Sequence, residues 1–407
     1  MIVAGGGLAG SAAACVLARA GPPVLLIERE TQPVEKICGE FISAEARDYL
    51  HHLGLDIAAL GGAAITAFRL VRGNSVVSCA LPFAGTGLSR RVLDEALLRR
   101  AAAYGADIQR GQTVSMRRDR DPIVLASSDG LEMQTDTLFL ATGKHDLRGI
   151  RRPVAGVPDL VGFKLHLRLA PAQQAELAGH VEIMLLDRGY AGIQLVERDM
   201  ANLCLMVARS RLQEVGGHWD GLLEALQRTE PHLRTRLTDA VALAPKPLSI
   251  FRVPYGFVHA ARADDPPSIF RLGDQMGVIP SFTGDGMSIA LHSAVVAASC
   301  YLAGVSAAAY HRRIRRDIAG QIGRAGALYR LGGAATIQPA LMQLAALWPG
   351  GLRLAATTTR VSRRALSRSL IAAEQSSDVP RTTRPAALGC REQTVSLGSV
   401  STSDSFV

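Results

Sequence analysis

An α/β architecture follows from three features of this 407-residue chain. The first 28 residues read as strand, tight turn, helix and strand. The middle alternates apolar and polar residues as an antiparallel sheet does. The C-terminal part has helical periodicity. Together they predict a Rossmann-type nucleotide-binding domain interleaved with a mixed or antiparallel β-sheet substrate domain, followed by C-terminal helices. The length suits two or three structural units, and 48% hydrophobic with 20% charged residues is a globular composition.

The elements read in order as follows. Residues 1–4 are a short apolar strand; its brevity leaves open a start further upstream. Residues 11–20 are an alanine-rich helix closed by Gly21-Pro22, and residues 24–27 a second buried strand ending at Glu28. Residues 29–40 form a polar loop. Residues 43–53 read as a helix with Ser43 as N-cap; Ala46 stands where a capping box would place an acid or amide, and Glu45 suits the positive helix end. Residues 65–83 alternate like strands around Arg72-Gly73-Asn74. An amphipathic helix covers 89–104. Strands follow at 114–116, 123–126 and 138–141, with Asp129-Gly130 as a hairpin turn. Residues 160–208 mix strands and turns, with sheet strands at 181–186 and 203–207. Residues 219–229 are helical, 269–272 are a short buried strand, and a long helix starts at Gly286. Residues 311–370 are expected to be helical but broken by glycines and prolines. From about 374 the composition predicts disorder.

The first chemical motif is Gly5-x-Gly7-Leu8-Ala9-Gly10, with Glu28 eighteen residues on. Gly5 permits the tight turn, Gly7 admits a pyrophosphate, and Gly10 lets helix and strand pack closely. A carboxylate ending the second strand, followed by Arg29, suits ribose hydroxyls and repels a 2′-phosphate. The adenosine half of FAD or NAD therefore fits. The second motif is Arg271-Leu272-Gly273-Asp274, then Pro280, Gly284, Gly286 and Met287 opening a long helix. A third is Arg90-x-x-Leu93-Asp94 at the start of the helix 89–104, and a fourth is the loop Lys36-Ile37-Cys38-Gly39-Glu40.

The late Gly-Asp resembles the ribityl-binding signature of flavoproteins related to para-hydroxybenzoate hydroxylase, and the Lys-x-Cys-Gly-Glu loop resembles that of its geranylgeranyl reductase-like branch. The resemblance covers residues 1–45, 88–145 and 265–300. It implies FAD, with Asp274 on a ribityl hydroxyl, Arg90 near the phosphates and the loop 36–40 along the flavin. It also implies a sheet roofing the flavin, built partly from 189–192 and 202–205. The expected domains are 1–60, 84–150 and 250–305 for FAD, 61–83 and 151–249 for substrate, 306–373 for helices, and 374–407 for a disordered tail. Two departures stand out. Aromatic hydroxylases of this superfamily carry an Asp-Gly pair where this chain reads Thr142-Gly143-Lys144-His145, with Lys144, His145 and Arg148 free to meet an anion or to cap a loop. The halogenase Trp-x-Trp-x-Ile-Pro motif is absent.

The resemblance implies an FAD-dependent oxidoreductase, with a monooxygenase or hydroxylase of a lipophilic or aromatic small molecule using NAD(P)H and O2 as the first reading. An alkene reductase and a non-catalytic flavin-binding interaction protein are the alternatives. Nothing in the sequence marks a unique acid or base; the candidates over the flavin are His166, Tyr190 and Gln194 from the roof and Cys38 from below. Six scattered cysteines without metal-ligand spacing argue against a zinc site or a disulfide scaffold and, with no charged-then-apolar leader, for the cytoplasm. The formal charge is +9, and residues 311–368 alone hold eleven arginines against Asp317. That region is expected to be a solvated helical face or a docking face for an acidic carrier protein or an anionic membrane. No nucleic-acid motif accompanies it.

Overall fold

The computed structural model describes residues 1–154 and 159–377. The chain opens with β1 (Ile2–Ala4), α1 (Leu8–Arg19) and β2 (Leu25–Glu28). Helix α1 begins three residues before the expected Ser11, because extended Gly7 serves as its N-cap and offers no side-chain cap. After β3 (Phe41–Ile42), the Ala46 amide donates to Ser43 Oγ at 3.3 Å and starts α2 (Ala44–His52) as anticipated. The hairpin β4 (Ala63–Arg72) and β5 (Ser75–Gly87) turns at Gly73. Ser89 caps α3 (Arg90–Ala103). Next come β6 (Asp107–Arg110), which its polar sequence concealed, then β7 (Val114–Arg118), β8 (Ile123–Ser127), β9 (Glu132–Thr135) and β10 (Leu138–Leu140).

The second half contains β11 (Leu160–Arg168), α4 (Pro171–Leu177), β12 (Gly179–Leu186), β13 (Gly189–Leu195), β14 (Ala201–Ala208), α5 (Arg209–Glu214), α6 (Trp219–Thr229), α7 (Pro231–Arg236), β15 (Val241–Ala242), β16 (Leu248–Phe251) and β17 (Ile269–Arg271). It ends in α8 (Gly286–Leu302), α9 (Ala307–Gly333), α10 (Gln338–Leu347), α11 (Pro349–Thr358) and α12 (Arg363–Ser377). The tail expected from 374 is helical as far as Ser377; its remainder, 378–407, lies outside the described residues.

Two sheets organise the molecule. The first is parallel, ordered β17-β10-β1-β2-β6, with its Val3, Phe139 and Phe270 packed in the main core beside α1 and α8. Short strands buried this way need helices over them, and α8 supplies one with thirteen buried residues. The second sheet is mixed and nine-stranded, ordered β15-β11-β14-β13-β12-β4-β5-β3, with β16 paired to β11. It takes in β3 and the end of β16, which the expected boundaries gave to the nucleotide-binding part. A small antiparallel sheet, β7-β8-β9, completes the fold.

Candidate active site

A cavity of about 1500 Å³ runs between the parallel sheet and the mixed sheet that roofs it. One end is the glycine turn after β1. Gly5 has φ +107°, and a Cβ there would stand 2.6 Å from Ala141 O. A Cβ on Gly10 would stand 1.8 Å from Gly5 O, an impossible approach, so only glycine lets α1 sit against the turn. At Gly7 the situation reverses: a Cβ would meet nothing closer than 3.6 Å, and what it would meet is the Arg90 guanidinium and the Lys36 ammonium. The uncapped N-terminus of α1 points its free amides into the same space. Two cations and a helix N-terminus around an open glycine suit a pyrophosphate. Asp94 orients both cations: Arg90 donates Nε and Nη2 to it at 2.7 and 2.9 Å, and Lys36 lies at 3.1 Å. Burial works to raise the Asp94 carboxyl, but Arg90 and Lys36 outweigh it and hold the carboxyl below its usual range. Glu28 ends β2 on the wall, its carboxylate accepting the amides of Gly6 (2.6 Å) and Glu30 (3.0 Å).

The cavity continues to Gly273 and Asp274 after β17, and then to Gly284, Gly286 and Met287 at the N-terminus of α8. Gly273 has φ +55° and donates its amide to Ser293 Oγ at 2.9 Å, while the Lys144 ammonium lies 3.8 Å from the Asp274 carboxylate. Leu8, Ala9, Arg29 and Arg90 are on the cavity wall; Gly10 and Pro280 are not among its lining residues. Asp285 is fully buried, accepting the Val361 amide at 3.1 Å and Gln321 Nε2 at 3.2 Å, with Arg360 at 3.4 Å. Burial pushes this carboxyl up to about 7 against the pull of Arg360.

The loop 36–40 crosses the middle of the cavity, and Glu40 fixes it there. This residue has φ +60°, a strained conformation for a side chain larger than glycine. Its carbonyl accepts from Leu88 N (3.1 Å) and Gln194 Nε2 (2.8 Å); its carboxylate accepts from Arg90 N (2.8 Å), approaches His166 Nε2 (2.7 Å) and receives Lys164 Nζ. Asn202 Nδ2 donates to Cys38 O at 3.0 Å. Lys164 also donates to Glu35 at 2.8 Å. Burial would lower the Lys164 ammonium, but Glu40 and Glu35 raise it, and that cation in turn holds Glu35 low against its own burial.

Of the four sequence candidates, Cys38, Tyr190 and Gln194 reach the cavity wall, and His166 does not. His166 sits behind the loop, paired to Glu40. Gln194 holds the loop's carbonyl, and the Glu40 amide lies 3.4 Å from Cys38 Sγ. The sequence reading missed Glu40 as the hub and Lys164 as its partner, which lie 124 residues apart. It also missed Tyr255. The Tyr190 and Tyr255 hydroxyls are 3.0 Å apart, and Tyr255 bonds onward to Ser281. Burial pushes both phenols well above their ordinary value, so both keep their protons at neutral pH. Tyr190, Tyr255, Tyr329 and Phe282 pack edge to face around this end.

Among the described residues, two groups of carboxylates and imidazoles lie close enough to share a cation: Glu35–Glu40–His166 and His259–Asp265–His311. Lys164 already fills the first. Burial and the Arg271 charge push His259 down to about 4, and the same guanidinium opposes a metal there. Neither group makes a convincing metal centre.

The geometry suits a dinucleotide held under a sheet roof, and the chain resembles known proteins that bear on which dinucleotide. Residues 1–139 match the family described as FAD binding domain, so FAD is the cofactor this segment is built to bind. The chain is 30% identical over 202 residues to a menaquinone reductase of Mycobacterium tuberculosis, covering 46% of this chain and 48% of that protein. It is 36% identical over 110 residues, 27% of either chain, to digeranylgeranylglycerophospholipid reductase 2 of Methanopyrus kandleri. The chain thus spans about half the length, or less, of the curated relatives it matches. The fold is shared with the flavin-dependent brominase Bmp2 (TM-score 0.72, 18% identity, 92% of this chain and 98% of that one). It is shared too with PqsL of Pseudomonas aeruginosa, a probable FAD-dependent monooxygenase (TM-score 0.65, 16% identity, 84% and 98%).

Proposed function

We propose that this chain is an FAD-dependent oxidoreductase that hydroxylates the aromatic head of a lipophilic molecule carrying a long apolar tail. The observation that carries this reading is the lining of the cavity. Part of it is the aromatic cluster Tyr190, Tyr255, Tyr329 and Phe282, and part is an apolar set, Ile183, Leu185, Met206, Leu341, Leu344 and Trp348, which we read as a tunnel for a tail. An aromatic cage beside the cofactor suits an aromatic head. An apolar tunnel suits a tail, at about 0.8 kcal/mol per buried methylene. FAD, reduced by NAD(P)H, would activate O2 so that one oxygen atom enters the substrate and the other leaves as water.

The chain's own residues supply position and protons. The protonated Tyr190–Tyr255–Ser281 chain can donate to a phenolic oxygen of the head and pass a proton along its hydroxyls. Ile193, Met206 and Val278 keep water away from the reacting face. The N-terminus of α8 favours negative charge on the reduced cofactor.

A second reading, hydride transfer to an isolated alkene in the tail, is favoured by the two curated relatives, both named as reductases. One experiment separates the two. Enzyme reduced without oxygen is mixed with a long-tailed phenol or a polyprenyl alkene, and isotope-labelled O2 is then admitted. Labelled oxygen in the phenol product supports hydroxylation. A hydrogenated alkene formed before oxygen enters supports reduction instead. Neither product from any lipophilic substrate, with flavin bound, overturns both.

A further inference from the structure

The apolar lining of the cavity reaches the protein surface. Two of its residues, Leu344 and Trp348, are 56% and 54% exposed, and beside them Leu347 is 86% exposed. Helix α10 buries Gln338, Met342 and Ala345 and turns Leu344 and Leu347 outward, while α11 buries no residue. Leu354 on α11 is also 54% exposed. Residues 331–352 contain no ionisable side chain. Single exposed leucines are ordinary on a protein surface; several on one helical hairpin, at the mouth of an apolar tunnel, are not.

The surroundings identify what covers this lip. Arg316, Arg324, Arg360, Arg363, Arg364 and Arg368 line a concavity of about 880 Å³ between α9 and α12 with Asp317 as its only carboxylate. Arg360 borders both that basin and the tunnel. A second copy of this chain would set arginine against arginine. An acidic protein would match the arginines but gives no reason for a bare Leu347 and Trp348. An anionic lipid surface matches both at once: leucines enter the acyl boundary, tryptophan settles at the headgroup level, and arginines meet phosphates. No helix among the described residues is long and apolar enough to cross a membrane, so the contact lies on the surface.

We infer that the α10–α11 hairpin docks on an anionic lipid surface, with Leu347 and Trp348 seated in it and the arginine basin on its phosphates, so that the tunnel opens directly onto the lipid. The inference rests on the lipophilic-substrate reading for its purpose, but docking is measured without any substrate.

The flavin-loaded full chain is floated with vesicles of phosphatidylcholine alone or mixed equally with phosphatidylglycerol. The expected result is binding to the mixed vesicles at least about tenfold tighter than to phosphatidylcholine, weakened by salt. Trp348 emission, absent in a Trp348→Phe control, should shift to the blue on binding. Leu347→Glu with Trp348→Glu should lose about tenfold or more of that affinity while retaining yellow, FAD-bound protein, and Arg363→Glu with Arg364→Glu should lose the preference for phosphatidylglycerol. Absence of vesicle binding overturns the inference. So does unchanged binding by the Leu347→Glu/Trp348→Glu variant. So does a concentration-dependent dimer, or a complex with an acidic carrier protein, that this variant abolishes while vesicle binding persists. Turnover of detergent-dispersed long-tailed substrate tests the substrate reading separately, since it requires no vesicle.

Discussion

Gly10 carries the tightest steric demand among the described glycines: a single methyl group there would collide with the backbone carbonyl of Gly5. Gly10→Ala is therefore expected to push α1 off the turn and yield protein that purifies colourless, with FAD affinity reduced at least about tenfold. Absorbance near the flavin bands and a titration with added FAD check this; retained yellow colour contradicts it. This residue was legible in the sequence because backbone geometry alone sets the spacing of the three glycines and Glu28. Glu40 was not. Its neighbour Cys38 drew attention as a reactive type, yet the structural weight falls on Glu40, whose partners come from α3, β11 and β13. Such a hub depends on contacts between distant parts of the chain, and no local pattern announces it. Tyr255 was hidden for the same reason, since its meaning lies in Tyr190, 65 residues earlier.

Among the elements, the N-terminus of α8 is tied to the C-terminal helices through Asp285. Folding raises this carboxyl from 3.8 to about 7. The unfolded chain therefore ionises it first as pH rises, and stability falls between about pH 4 and pH 7, then levels. Asp285→Asn removes that dependence. The melting temperature of the variant relative to the parent should climb across the window, by an amount equivalent to a few kcal/mol at most, and stay flat above it. A difference independent of pH would show that Asp285 is charged throughout. The sequence reading placed most elements well, and Trp219–Thr229 to the residue. It expected both glycines and prolines to break the region after 311; the glycines of α9 do not, since it runs unbroken for 27 residues through Gly320, Gly323 and Gly326. Ile314, Ile318 and Ile322 bury a continuous stripe, and that packing outweighs glycine propensities of about 1 kcal/mol each. Two breaks fall where prolines stand, with Pro339 and Pro349 each opening a new helix, while the break before α12 at 359–362 holds no proline.

For the molecule as a whole, the cofactor groove draws its walls from the parallel sheet, the loop 36–40, the N-terminus of α8 and the roof. FAD is therefore expected to stabilise all of these together. Stripping it should lower the melting temperature of the chain in one transition, and restoring it should raise that temperature with the logarithm of free FAD, by about 2.7 kcal/mol at a hundredfold excess over Kd. Two separate transitions, only one responding to FAD, would show that the roof melts independently. The fold class was readable from the order of strands and helices. The apolar end of the cavity was not, because α10 and α11 meet β4 and β5 only in the folded chain, some 260 residues after those strands are made.

On the proposed reading the tail runs out past the exposed Leu344 and Trp348, and an open sleeve cannot act as a ruler. Each methylene added to a substrate tail should tighten binding by about fourfold (roughly 0.8 kcal/mol) while the tail is still inside. Once it emerges between Leu344 and Trp348, further carbons leave the protein, and KM in detergent-free solution should stop falling while kcat stays level. The chain would then discriminate sharply against tails that are too short and not at all against those that are too long. A product pool from this protein would accordingly carry whatever spread of tail lengths the preceding chain-building step supplied.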